Sequence, residues 1–464
     1  MTIQSTIDFV KEEITKYGVK GDTSKYYVFR NNAKQQDAFT EDKAFFGFIH
    51  PDEPETGTYH DFCVVLFPGD IEGTQPWVLS LGVGSIGFLN DFDLASKPGV
   101  RRLFNSILSE NGFCKSDFSD TESDLPDEFI DKVPHLAKTL ERYAKVLPVC
   151  EILDNINSEE SKNRISAFLA IYAKMRGWIH YKYQKENYEN AISKFQRNRE
   201  VSSKDKVRQL IQERKFIILT GPPGVGKTRL AKIIGKEINA HVFFTQFHAE
   251  TNYSDFIYGI IPDLDAVGLK YTHKMGTFHQ ALDFAQNNSD KPTLLIVDEI
   301  NRANLSNILG PIFYLFEYQM DENENAPMIE ISPHRSISKL PDNFYMIGTM
   351  NTADRSLAVV DFALRRRFAW YEMLPSPIID NDDFFVEDFE RFNDIFNWHA
   401  NSSELTLQPG QGYFLAKNEE AFLNRVEYEL YPLIKEYLQE QLLISAKEEF
   451  NSYFLNRIGK PLFQ

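Results

Sequence analysis

Residues Gly221–Thr228 read GPPGVGKT, which fits G-x-x-x-x-G-K-[ST] and constrains this chain more than any other feature. They follow an apolar run, FIILT (Phe216–Thr220), and lead into a helical pattern, TRLAKIIGKEI. Between a strand and a helix, such glycines let the backbone wrap a β-phosphate, so that amide N–H groups and the helix N-terminus meet its charge. Lys227 is placed to reach the β- and γ-phosphates, and the Thr228 hydroxyl to hold Mg²⁺. The expected cradle comprises Gly221, Pro222, Pro223, Gly224, Val225, Gly226, Lys227, Thr228 and Arg229. A chance glycine turn is the plainer reading, and the strand–loop–helix context argues against it.

Phosphoryl transfer also needs metal, water and charge stabilisation. The apolar run TLLIVDE (Thr293–Glu299) ends in two carboxylates. Asp298 is predicted to hold the Mg²⁺ shell beside Thr228, and Glu299 to polarise the attacking water. A third run, FYMIGTM (Phe344–Met350), delivers Asn351 at a strand tip, where an amide orients that water. DFALRRRF (Asp361–Phe368) sets three arginines beside apolar residues. A solvated basic turn or a nucleic-acid contact is the plain reading. The alternative is an arginine finger, which contributes on the order of 10³–10⁵ in rate and, supplied in trans, requires a neighbouring subunit.

Around these motifs the 464 residues divide by pattern. YYVF, AFFGFI, FCVVLF and WVLSLGVG, between turn signals, predict strands and an α+β domain over 1–130. Three- and four-residue apolar spacing predicts a helical segment and linker over 131–200, with QRNREVSSKDK (Gln196–Lys206) as the linker. Strands alternating with helices predict an α/β nucleotide core over 201–374, with a parallel sheet covered by helices on both faces. Residues 375–464 read as a helical lid, in which PGQGYFLA (Pro409–Ala416) marks the approach to the nucleotide. The whole is a multidomain α/β chain. Three cysteines without paired spacing predict a reducing compartment, and no apolar run reaches the ~18–20 residues of a membrane span. The start lacks the apolar core of a secretion signal, so a cytoplasmic protein is expected. A net charge of −17 disfavours a broad nucleic-acid-coating surface but leaves room for a local basic patch.

GPPGVGKT, VDEINRANLSNILG (Val297–Gly310) and GTMNTADRSLAVVDFALRRRF (Gly348–Phe368) together resemble the AAA+ superfamily, and more narrowly the McrB family of modification-dependent restriction systems. MNTADRSLAVVD is the most particular part. The resemblance covers residues from about Val207 onward. It implies a C-terminal AAA+ module with a helical lid, GTP rather than ATP, Mg²⁺, a hexameric ring, and a separate McrC-like endonuclease subunit. It also implies an N-terminal domain that recognises DNA, often modified, and translocation driven by hydrolysis. Carried onto this sequence, Asn351 is the sensor, Asp354 and Arg355 belong to the signature loop, and Arg366 and Arg367 act in trans. GTP preference rests on the resemblance alone.

Residues 1–200 carry no motif that resembles a known family. A modified base calls for an aromatic cage, and Tyr26, Tyr27, Phe29, Phe45, Phe46, Phe48 and Trp77 supply rings, although aromatic stripes in strands are core more often than pocket. Two further functions remain open: an ATP-using MoxR-like remodeller of proteins, and a nucleotide-gated sensor or scaffold for another effector. No nuclease signature is present, so the chain alone is expected not to cut DNA.

Overall fold

A computed structural model describes the chain except residues 1, 34–37, 40, 196–202, 263–270, 318–326, 334, 354–361, 379–380 and 464, with backbone alone at 203 and 362–364. The chain divides into two compact units, Met1–Arg199 with Asn397–Asn401, and Glu200–Phe396 with Ser402–Gln464.

The first unit is built on an antiparallel sheet of six strands: β1 (Val28–Asn31), β2 (Phe46–Ile49), β3 (Phe62–Phe67), β4 (Trp77–Val83), β5 (Gly112–Cys114) and β6 (Val149–Leu153). Their order is β1-β2-β3-β4-β6-β5. Strand FCVVLF is buried at every position because both faces are covered. Phe62, Val64 and Leu66 face one core with the helices Ile3–Ile14 and Glu159–Met175. Cys63, Val65 and Phe67 face another with the helix Ala137–Tyr143. Period-two side-chain direction therefore splits one apolar run between two cores. The expected division at residue 130 falls elsewhere. Strand β6, from VCEIL within the stretch read as helical, lies between β4 and β5, so residues 131–199 complete the N-terminal unit.

The second unit holds a parallel sheet of five strands: β7 (Phe216–Gly221), β8 (His241–Gln246), β11 (Thr293–Asp298), β14 (Phe344–Asn351) and β15 (Ala369–Glu372). Their order is β15-β7-β14-β11-β8. Apolar runs in the sequence mark the first four; β15, AWYE, is the fifth and pairs with β7. Ile217 and Leu219 pack on one side of the sheet with Leu230, Ala231 and Ile234 of the helix Lys227–Glu237. Phe216 and Ile218 pack on the other with Phe278, Ala281 and Leu282 of the helix Thr277–Asn287. Burying each such side chain stabilises the sheet by about 1.5–3 kcal/mol. Two hairpins lie outside the sheet, β9 (Tyr258–Pro262) with β10 (Tyr271–Met275), and β12 (Ile329–Ser332) with β13 (Arg335–Ile337). Helices follow β15, among them Val386–His399, Glu419–Arg425, Tyr431–Gln439 and Lys447–Ile458. No helix among the described residues is long and apolar enough to cross a membrane.

Candidate functional site

Pairing in the parallel sheet brings the sequence motifs together. Strand β14 lies between β7 and β11, with Asn351 opposite Gly221 and Gly348 opposite Val297. The chain leaves β7 through Pro222–Gly226 and enters the helix at Lys227. Gly224 and Gly226 adopt φ +83° and +86°, the left-handed region that glycine enters without a Cβ penalty.

Lys227 is nearly buried, and its Nζ donates to the carbonyls of Gly221 (2.8 Å) and Pro222 (2.9 Å) and to Asn351 Oδ1 (2.5 Å). Burial pushes its ammonium down to about 8, against the pull of the Glu299 and Asp298 carboxylates. A triphosphate offers this cation a stronger partner than three neutral oxygens do. Thr228 Oγ1 donates to Asp298 Oδ1 at 2.6 Å. Hydroxyl and carboxylate together form the all-oxygen donor set that suits Mg²⁺.

Glu299 stands at φ +52°, unusual for a residue with a Cβ and costing on the order of 1–3 kcal/mol. Its backbone N–H donates to Thr349 Oγ1 (3.1 Å), which holds the turn. The turn aims the carboxylate at Asn351, whose Nδ2 donates to Glu299 Oε1 at 2.5 Å, while Arg302 Nε reaches Oε2 at 3.3 Å. Asn351 thus bridges Lys227 and Glu299. Sequence reasoning missed Thr349, whose hydroxyl also donates to Asp298 Oδ1 at 2.6 Å. Its signal was its position two residues before Asn351, on the same face of the strand.

The segment PGQGYFLA reaches the phosphate loop directly. Gly410 and Gly412 donate their N–H groups to the carbonyls of Pro223 and Gly224, both at 2.9 Å, and Gln411 Nε2 donates to Val225 O at 2.9 Å. Arg425 Nη1 holds the turn from behind through Gly412 O (2.7 Å).

Five expected residues therefore meet: Lys227, Thr228, Asp298, Glu299 and Asn351. The Arg229 side chain is exposed at the start of the helix. Arg366 and Arg367 turn to Glu317, at 3.3 and 2.9 Å, rather than to the phosphate loop. The Arg366 side chain is 66% exposed and that of Arg367 only 10%. Asp354 and Arg355 lie outside the described residues. In the first unit, Phe46, Phe48 and Trp77 are core, without exposed surface.

Comparison with known proteins agrees with this geometry. A family model for the AAA domain of the dynein-related subfamily matches residues 216–368. The Type IV methyl-directed restriction enzyme EcoKMcrB subunit of Escherichia coli (strain K12) is 42% identical over 168 residues, covering 35% of this chain and 36% of that protein. The Type II restriction enzyme BsuMI component YdiS of Bacillus subtilis (strain 168) is 28% identical over 189 residues, covering 33% of this chain and 55% of that protein. The chain thus spans between about a third and just over half of the length of each. Within that span its AAA domain is a P-loop nucleotide module of McrB-like kind.

Proposed function

We propose that this chain, McrB-like across its AAA domain, is the nucleotide-hydrolysing motor subunit of a restriction system. It hydrolyses GTP in preference to ATP with Mg²⁺, forms a ring that is hexameric by family resemblance, and drives DNA translocation for a separate McrC-like endonuclease. The first unit selects the DNA, probing for modified bases, and the chain acts in the cytoplasm. The observation that carries this reading is the convergence of Lys227, Thr228, Asp298, Glu299 and Asn351 in the AAA domain of a chain 42% identical over 168 residues to a restriction subunit.

The parts have distinct tasks. Phosphate-loop amides and Lys227 bind the β- and γ-phosphates. Thr228 and Asp298 hold Mg²⁺, which supplies charge neutralisation at the transferring phosphoryl group. Glu299 takes the proton of the attacking water, and Asn351 orients that water. Asp354 and Arg355 belong to the signature loop at the nucleotide, and an arginine of the helix Phe362–Arg367 serves a neighbouring subunit's site.

Turnover of GTP and ATP by the purified chain, with and without a McrC-like endonuclease subunit, tests the reading. GTP preference with stimulation by that partner is expected. A preference for ATP that the partner leaves unchanged would favour a protein remodeller of MoxR-like type.

A further inference from the structure

The first unit carries a surface that nothing above uses. After the helix Glu159–Met175 the chain turns at Gly177 and reads HYKYQKENY over His180–Tyr188. Tyr181 is 64% exposed and Tyr183 41%. Their rings stand nearly parallel, 7° apart in tilt, with centroids 6.0 Å apart. Lys20 Nζ sits 4.9 Å from the centre of the Tyr183 ring.

The surface is built from beneath. Gln184 is buried, and its Oε1 accepts from the backbone N–H groups of His180 (2.7 Å) and Tyr181 (2.9 Å) while its Nε2 donates to Tyr183 Oη (3.2 Å). Asn187 Nδ2 donates to Lys16 O at 3.0 Å, tying the helix Lys182–Ser193 to the turn Thr15–Tyr17 that precedes Lys20. That helix buries Gln184, Ala191 and Ile192, so the two exposed tyrosines are not its packing residues. Lys182 and Lys185 are exposed in its first turn, which holds no acidic residue. The helix dipole disfavours cations there, and the neighbouring helix opens instead with Glu159 and Glu160. Glu186 and Glu189 follow further along. In a chain of net charge −17, lysines set around stacked, exposed rings are a local exception.

We propose that the Tyr181–Tyr183 stack, with Lys20, Lys182 and Lys185, is a contact for a nucleic-acid strand with unpaired bases. The rings stack on a base, and the ammonium groups meet the flanking phosphates. The contact rests on the proposed function only in taking DNA as the polymer.

The test uses the full chain and a fluorescein-labelled oligothymidine of roughly 20 nucleotides, longer than the ~4–16-nucleotide footprints of single-strand modules. A duplex of the same length serves as the second arm. Fluorescence anisotropy should show preference for the single strand. Tyr181→Ala with Tyr183→Ala should weaken it on the order of tenfold or more, and Tyr181→Phe with Tyr183→Phe should restore it. Lys20→Gln with Lys182→Gln should flatten the dependence of log affinity on log salt by about 1.4. Nucleotide turnover and thermal unfolding, read separately, should match the wild type in the lysine variant. Single-strand affinity unchanged by the alanine pair and by the glutamine pair, or no binding by the wild-type chain, overturns the contact. Wild-type turnover persisting beside either result leaves the motor reading standing.

Discussion

At the residue scale the site is a charge problem with a measurable sign. Burial holds Lys227 down to about 8 and a bound phosphate raises it, so above that pH the free chain binds fewer protons than the phosphate-bound chain. Nucleotide affinity should therefore begin to fall as the pH rises through about 8 and, above it, fall by at most about tenfold per unit. Lys227→Arg, whose guanidinium stays charged, should remove the slope. Titration of affinity with a fluorescent nucleotide analogue measures both. Glu299→Gln should keep binding yet lower single-turnover hydrolysis by about 10²–10⁴, because it keeps the shape and loses the base. The two arginines should part company. Arg367→Ala removes the buried partner of Glu317, leaving it only the exposed Arg366, and should cost about 1–3 kcal/mol by calorimetry. Arg366→Ala should leave stability within about 0.5 kcal/mol and depress turnover. Lys227, Asp298 and Asn351 were legible because a motif fixes the first to a helix start and the other two to strand ends. Thr349 was not, since its place two residues before Asn351 marks a shared strand face but not the Asp298 carboxylate that lies opposite it.

The phosphate loop is as much a packing element as a binding one. A Cβ on Gly410 would stand 2.2 Å from the carbonyl carbon of Gly224 and 2.3 Å from Val225 N, both backbone atoms that cannot swing aside. Gly410→Ala should push the lid turn off the loop at a cost of about 1–3 kcal/mol, and nucleotide affinity should fall with it. Gly310→Ala is the control, because a Cβ there meets nothing within 4 Å. Equal affinities in the two variants, measured by calorimetric titration, would dismiss the lid turn as a support. Elements were readable where an apolar run filled a whole strand, as in FIILT and TLLIVDE. Strand β6 hid because VCEIL follows KVLP within a stretch of helical spacing, and only its partners β4 and β5 mark it as a strand. Strand β15 was too short, at four residues, to stand out from the arginines before it. Tertiary pairing decides such segments, and a local pattern does not record it.

At the scale of the whole molecule, the exposure of Arg366 joins the chemistry to assembly. In a single chain its guanidinium faces Glu317 and solvent, so a site that uses it must borrow it from another copy. Two disabled chains should then repair each other. Lys227→Ala cannot hold nucleotide but still presents Arg366, while Arg366→Ala holds nucleotide and lacks the finger. Each alone should turn over slowly with saturating GTP, Mg²⁺ and the endonuclease partner. Mixed in equal amounts, they should form sites in which an intact phosphate loop faces an intact arginine, and turnover should rise above the sum of the two. The gain should grow with total concentration, since association of copies limits it. A mixture no faster than that sum, in a preparation shown by light scattering to contain both chains in one assembly, would place Arg366 outside the neighbour's active site.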